Sequence, residues 1–187
     1  MQTARIHNQK SIFSTPWFKL IAKIVSSEKT NDPYYSIEAL DYVSVLAMTP
    51  DQKVILVKQY RPAVEAVVTE LPSGHVEKNE SPEESARREL LEETGYRAST
   101  MECLGSLWPD TGRMSNRIWY FFAPDVSRGG LEIPEEPAIE TMLMDLADFI
   151  EDIRSGRFEP SLNLSAVFLA FLKSENFPKD PLREVLE

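Results

Sequence analysis

The stretch that decides the fold runs Gly74-His75-Val76-Glu77-Lys78-Asn79-Glu80-Ser81-Pro82-Glu83-Glu84-Ser85-Ala86-Arg87-Arg88-Glu89-Leu90-Leu91-Glu92-Glu93-Thr94-Gly95-Tyr96. Ser81, Pro82 and Glu84 form a capping box with proline at the first helical position, so a helix opens there. Gly95 suits the left-handed conformation that closes a helix. Between these signals Ala86, Leu90 and Leu91 supply a narrow apolar stripe, while Glu89, Glu92 and Glu93 share another face at i, i+3 and i+4. Like charges at that spacing cost an isolated helix about 0.2–0.5 kcal/mol per pair. Two of the three also sit in the last turn, where the helix dipole disfavours anions. An acidic helix face is ordinarily just a solvated surface. Bound divalent cations remove both objections, because Mg²⁺ prefers hard carboxylate oxygens that it shares with substrate phosphates.

The rest of the chain frames this helix with strands. Phe18–Val25 and Tyr34–Ala39 read as a hairpin across a turn at Asn31-Asp32-Pro33. Tyr42–Met48 and Lys53–Tyr60 are apolar, β-branched runs joined at Thr49-Pro50-Asp51-Gln52. Beyond the helix, Met101–Leu107, Arg117–Ala123 and Thr141–Leu146 read as strands. Helices follow near Leu146–Ser155 and Ser161–Lys173. Strands and helices mix without regular βαβ alternation, which predicts an α+β fold.

Composition limits the chemistry. The 187 residues hold one cysteine, Cys103, and two histidines, His7 and His75. An intramolecular disulfide is therefore excluded, no Cys/His zinc cluster can be assembled, and a general base is expected to be a carboxylate. The net charge of −10 disfavours nucleic-acid and membrane phosphates as non-specific partners. No apolar run reaches the ~20 residues that span a bilayer. The first residues lack a signal-peptide core, so a cytoplasmic location is expected.

From Gly74 the spacing is five residues to Glu80, seven more to Arg88, then Glu89, Leu90, Glu92, Glu93, Gly95 and Tyr96. This resembles the signature of the Nudix hydrolase superfamily at every specified position; Tyr96 stands where an aliphatic residue is commoner. The resemblance implies an α/β/α sandwich around a mixed sheet, with residues 42–177 as the hydrolase domain. Residues 1–41 would be an N-terminal β-hairpin extension, a segment for dimerisation or swapping, and 178–187 a C-terminal tail. Glu89 and Glu93 would be the main metal ligands and Glu92 a further or water-mediated one. The carbonyl of Ser73 or Gly74 would complete the set. Mg²⁺ is the implied ion, with Mn²⁺ as a substitute. Arg88 would hold a signature glutamate in place, and Glu80 would brace the loop.

Gln59-Tyr60-Arg61 followed by Glu70-Leu71-Pro72-Ser73-Gly74 is similar to the branch acting on ADP-ribose and nucleoside diphosphate sugars. That resemblance assigns Arg61 to the substrate diphosphate and leaves Glu70 open between metal site and loop cap. The catalytic base would come from a later loop. Its candidates are Glu136, slightly preferred, Glu135 and Glu140, and the proline-bracketed stretch Ile133–Ala138 has the character of a lid. Arg113 and Arg117 are candidates for phosphate or ribose, Trp108 for stacking on a base, and Tyr34 for stacking from the N-terminal segment across a homodimer. The Trp108–Arg117 stretch departs from the branch's Ser-Pro-Gly element. NADH, dinucleotides or other nucleotides therefore stand beside ADP-ribose. A non-catalytic nucleotide-sensing module is the rival of another class, against which the three intact signature glutamates speak.

Overall fold

The structure, a computed structural model, describes residues 4–26, 32–129 and 139–180. The chain begins with β1 (Ile6–Ser14), β2 (Phe18–Val25), β3 (Tyr34–Ala39), β4 (Tyr42–Ala47) and β5 (Lys53–Arg61). Two short strands follow, β6 (Ala66–Glu70) and β7 (Ser73–His75), then the helix α1 (Pro82–Thr94). After it come β8 (Tyr96–Ala98), β9 (Glu102–Leu107), β10 (Ile118–Ala123), β11 (Val126–Arg128) and β12 (Ile139–Asp145). Helices α2 (Leu146–Arg154) and α3 (Ser161–Lys173) close the described chain. Among the described residues no helix is long and apolar enough to cross a membrane. The elements group into two compact units, Met1–Asp41 with Leu107–Ile118, and Tyr42–Ser106 with Trp119–Glu187.

In the first unit β1, β2 and β3 form an antiparallel sheet in that order. The expected hairpin of β2 and β3 is present, and β1 adds a third strand. Every residue of β1 is exposed, so the strand carries no inside-outside alternation to betray it. Asn31 of the expected turn lies outside the described residues. The Thr15 hydroxyl accepts the amides of Trp17 and Phe18 and so builds the β1–β2 turn. The segment 107–118 joins β3 through Ile37, whose amide donates to Arg113 O and whose carbonyl accepts from Ser115 N.

The second unit is organised by strands that are apolar on both faces. Val43, Val45, Leu46 and Ala47 of β4 and Val54, Ile55, Leu56 and Val57 of β5 have no exposed surface. Continuous apolar runs of this kind belong to strands covered on both sides. β4 lies in a sheet of order β7-β4-β10-β9, and β5 is the centre of β12-β5-β6. The odd-numbered residues Val43, Val45, Ala47, Phe121 and Ala123 pack with Ala86 and Leu90 of α1. On the other face Ser44 meets Asn163 of α3, and Phe122 packs edge-on against Phe177 at 5.6 Å. A helix on each face of this sheet makes the α/β/α sandwich expected for an α+β chain. Helix α2 covers β12 and β5 through Leu146, Phe149 and Ile150.

The helix α1 is bounded by the chemistry its sequence advertises. The Ser81 hydroxyl accepts from Glu84 N, and the Glu84 carboxylate accepts from Ser81 N at 2.7 Å. Gly95, at φ 73°, donates its amide to Leu91 O. Ser85, Ala86, Leu90 and Thr94 are the buried residues of the helix. Leu91 is only partly buried, so the stripe turns away from it and towards Thr94, whose hydroxyl bonds back to Leu90 O. Strands β6, β7, β8 and β11 are too short to show a period in sequence, and β12 starts two residues before its expected point. Since Leu90 is wholly buried under two strands, Leu90→Ala should cost about 2–5 kcal/mol of unfolding free energy. Urea titration measures this, and a loss below ~1 kcal/mol would contradict the packing described.

Candidate active site

The acidic face of α1 meets the backbone of β7. The Glu93 carboxylate accepts the Ser73 amide at 2.9 Å. The Glu89 carboxylate lies so close to Gly74 that a Cβ built there would sit 2.0 Å from its Cδ. Only glycine leaves room for that approach. Glu89 is 14% exposed, whereas Glu92, one turn on, is 53% exposed. The helix thus presents two carboxylates to one point of backbone and a third to solvent. Thr141 of β12 donates to the Glu93 carbonyl at 3.1 Å and ties the last turn of α1 to the other sheet.

Arg88 holds this face against its own repulsion. Its guanidinium reaches Glu80 at 3.0 Å, Glu89 at 2.7 Å and Glu92 at 3.1 Å, and donates to the His75 carbonyl at 3.1 Å. The hydrogen bonds that Arg88 donates to Glu80, against a smaller opposing effect of burial, hold Arg88 above the ordinary arginine range. In return Arg88 and Ser85 hold the Glu80 carboxyl below the ordinary glutamate range. The expected bracing roles of Arg88 and Glu80 correspond to these contacts. A planar fork of five donors suits such a task, where a lysine would satisfy fewer acceptors at once.

A second cluster borders the first. Arg61, at the end of β5, donates to Glu70 at 2.7 Å, and Gln59 donates to the same carboxylate oxygen at 3.1 Å. Burial works against the Arg61 charge, but the hydrogen bond and attraction of Glu70 outweigh it. The Tyr42 phenol feels the charges of Arg61, Glu93 and Glu70. Burial pushes this phenol up to about 12, so it stays protonated at neutral pH. Its ring meets His75 edge-on at 5.3 Å.

The remaining candidates fall elsewhere. Tyr34, Trp108, Arg113 and Arg117 all belong to the first unit. Arg113 lies over the Tyr34 ring, 5.4 Å from its centroid, and donates to the Tyr34 hydroxyl, which itself bonds Gly112 O. Arg117 stacks over Trp108 at 4.0 Å. Two of the expected aromatic platforms are thus each covered by an expected phosphate-binding arginine. Glu140 is exposed on β12, opposite Lys58 in register. Glu135 and Glu136, with the stretch 133–138, lie outside the described residues. Sequence reasoning missed Tyr42, read only as the start of a strand, and Asn163. Asn163 is a polar residue within the apolar run of α3, and that break in pattern was its one visible signal.

The donors fit a hard divalent cation. Two carboxylates, hard oxygen donors, converge on the Ser73–Gly74 backbone, and the absence of a Cβ at residue 74 gives Glu89 room beside it. Among the described residues, no three carboxylates, imidazoles or thiolates form a ready-made coordination group. In this arrangement Glu89 accepts from Arg88 and Glu93 from the Ser73 amide.

Comparison with known proteins identifies the family. Residues 40–163 match the NUDIX domain. The chain is 36% identical over 115 residues to the ADP-ribose pyrophosphatase of Bacillus subtilis (strain 168), covering 60% of this chain and 62% of that protein. It is 32% identical over 127 residues to the methanol dehydrogenase activator of Bacillus methanolicus, covering 67% and 69% of the two chains. The matched part thus spans about two thirds or less of these relatives. The crystal structure of an ADP compounds hydrolase superposes with a TM-score of 0.77 over 91% of this chain and 93% of that one, at 23% identity, a likeness of fold. With the signature residues gathered on α1 and β7 and two thirds of its length matched, the chain belongs to the Nudix family.

Proposed function

We propose that this protein is a Mg²⁺-dependent pyrophosphohydrolase. In this reading it cleaves the diphosphate of ADP-ribose, or a related nucleoside diphosphate sugar, into a nucleoside monophosphate and a sugar phosphate. The observation that carries the reading is the convergence of Glu89 and Glu93 on the Ser73–Gly74 backbone, with Arg61 held by Glu70, three residues before Ser73. Glu89 and Glu93 would hold the ion with the carbonyl of Ser73 or Gly74, and Glu92 would be a further or water-mediated ligand. A divalent ion held there, Mg²⁺ or in its place Mn²⁺, supplies positive charge to phosphate oxygens and acidifies the attacking water. Arg88 keeps the signature carboxylates oriented. Arg61 binds the diphosphate by sharing or exchanging its bond to Glu70, since its planar fork matches phosphate oxygens as well as carboxylate. The proton of the attacking water passes to a carboxylate outside α1, for which Glu136 is preferred over Glu135 and Glu140.

What supports the substrate class is the name of the Bacillus subtilis relative, an ADP-ribose pyrophosphatase, together with the segments at 59–61 and 70–74. The same reading carries a homodimer assembled through residues 1–41 and a cytoplasmic location. Supporting the homodimer are the exposed Ile12, Phe13, Trp17 and Phe18 of that segment, an apolar surface suited to a partner. In the same reading Arg113 and Arg117 serve phosphate or ribose, Trp108 stacks on a base, and Tyr34 stacks on the nucleobase across the homodimer.

Product analysis with Mg²⁺ across ADP-ribose, GDP-mannose, UDP-glucose, NADH, a diadenosine polyphosphate and a nucleoside triphosphate tests the proposal. Release of a nucleoside monophosphate and a sugar phosphate from one of the sugars is the expected result. In that assay Glu93→Gln should abolish turnover with the fold intact, because a neutral amide replaces a charged ligand. Wild-type rates in this variant would reject the metal assignment. Arg61→Ala should reduce kcat/KM for diphosphate substrates by the equivalent of about 1.5–3 kcal/mol. Unchanged kinetics would remove Arg61 from the substrate.

A further inference from the structure

From the end of β6 the chain passes through Leu71-Pro72 into Ser73, the first residue of β7, and this short piece sets where the backbone of Ser73 and Gly74 stands. Its own strand pairing is slight, because β7 has only three residues. β4 fixes one point, with the Val45 amide donating to Pro72 O at 2.9 Å. α1 touches another, where Glu93 accepts from Ser73 N. The third support comes from α3, ninety-two residues away in sequence.

Asn163 stands in the first turn of α3 and is 5% exposed. Its Oδ1 accepts the Leu71 amide at 3.1 Å. Its Nδ2 donates to Ser44 Oγ at 3.0 Å and to Ser73 Oγ at 3.4 Å. The orientation of the amide is fixed by chemistry: the Leu71 N–H can only donate, so an oxygen must face it. Ser73 Oγ then closes the ring by donating to Leu71 O at 2.6 Å. One side chain thereby clasps both ends of the tripeptide. An apolar residue would serve equally well if this position only packed α3 on the sheet, and the residues around it, Leu162, Leu164 and Ala166, are apolar. A buried amide satisfied on both sides is a directional device rather than a filler.

We infer that Asn163 is a positioning residue for the metal-binding backbone: it holds Leu71–Ser73 so that the Ser73–Gly74 carbonyls face Glu89 and Glu93. The inference rests on the proposed reading of the site and extends it to a residue outside the signature and on the opposite face of the sheet. Misplacement of these carbonyls weakens the ion without removing any of its ligands. Changes to groups that orient metal ligands typically cost 10–100-fold in affinity or activity.

The test is direct Mn²⁺ binding, by electron paramagnetic resonance and calorimetry without substrate, on the full chain and two α3 variants. Asn163→Leu keeps the branched shape and the number of heavy atoms but removes all three hydrogen bonds. Val167→Ala, in the core of the same helix at 4% exposure, lowers stability without touching residues 71–73. Both are compared below their melting temperatures, with melting followed in parallel. Asn163→Leu should weaken Mn²⁺ binding about tenfold or more, lower kcat at saturating substrate more than it raises KM, and show a shifted Mn²⁺ resonance. Val167→Ala should melt earlier and bind Mn²⁺ as wild type does. Undiminished binding by folded Asn163→Leu would overturn the inference alone. Equal weakening in both variants would overturn it too, since general loosening would then be the cause. A wild-type chain that bound no Mn²⁺ would overturn the reading of the site and this inference with it.

Discussion

Residue 74 has no side chain, and the Glu89 carboxylate occupies the place where one would be. Much of the second unit is arranged around that contact. It requires α1 to lie against β7 with its acidic face inward, which in turn requires Ala86 and Leu90 to seat on Val43, Val45 and Ala47. It brings negative charges together at the end of a helix, where the dipole opposes them. Arg88 offsets that repulsion by contacting Glu80, Glu89 and Glu92 at once. The capping box at Ser81 and the left-handed Gly95 fix the ends of the helix, so that the register of Glu89 and Glu93 on β7 follows. Packing on one side of α1 and charge on the other are therefore set by the same thirteen residues.

The parts of this arrangement that sequence could reveal are those whose chemistry is local. α1 announces both its ends, and its glutamates and Arg88 interact with residues close by in the chain. β4, β5 and β10 are legible as apolar runs because both of their faces are buried. β1 was not, since every side chain on it is exposed. β6, β7, β8 and β11 were not, since three to five residues are too few to display a period. The contacts of Tyr42 and Asn163 depend on segments far apart in the chain, which no window of sequence brings together. For Asn163 the sole trace was one amide in an apolar helix.

The arginines show a related limit. Arg61, Arg113 and Arg117 were assigned to phosphate or ribose from their segments, and in the structure each already has a protein partner. Arg61 is bound to Glu70, Arg113 lies over Tyr34 and Arg117 over Trp108. A guanidinium held by one carboxylate or one ring is pre-oriented, and loses less freedom when a further acceptor arrives. For Arg61 a phosphate that shares the fork with Glu70 is favoured over one that displaces it, because Glu70 is only 17% exposed and displacement would leave its charge without a cation.

The central claim is that the missing Cβ at residue 74 lets Glu89 reach the backbone proposed to bind the metal, and Gly74→Ala tests it most directly. The backbone at residue 74 does not demand a left-handed conformation, so alanine is tolerated there while its methyl displaces the end of a flexible glutamate. Mn²⁺ binding and melting temperature, measured on the same preparation, are the readouts. The account predicts a melting temperature close to that of wild type together with a loss of Mn²⁺ affinity of about tenfold or more. Wild-type Mn²⁺ affinity in folded Gly74→Ala would contradict it.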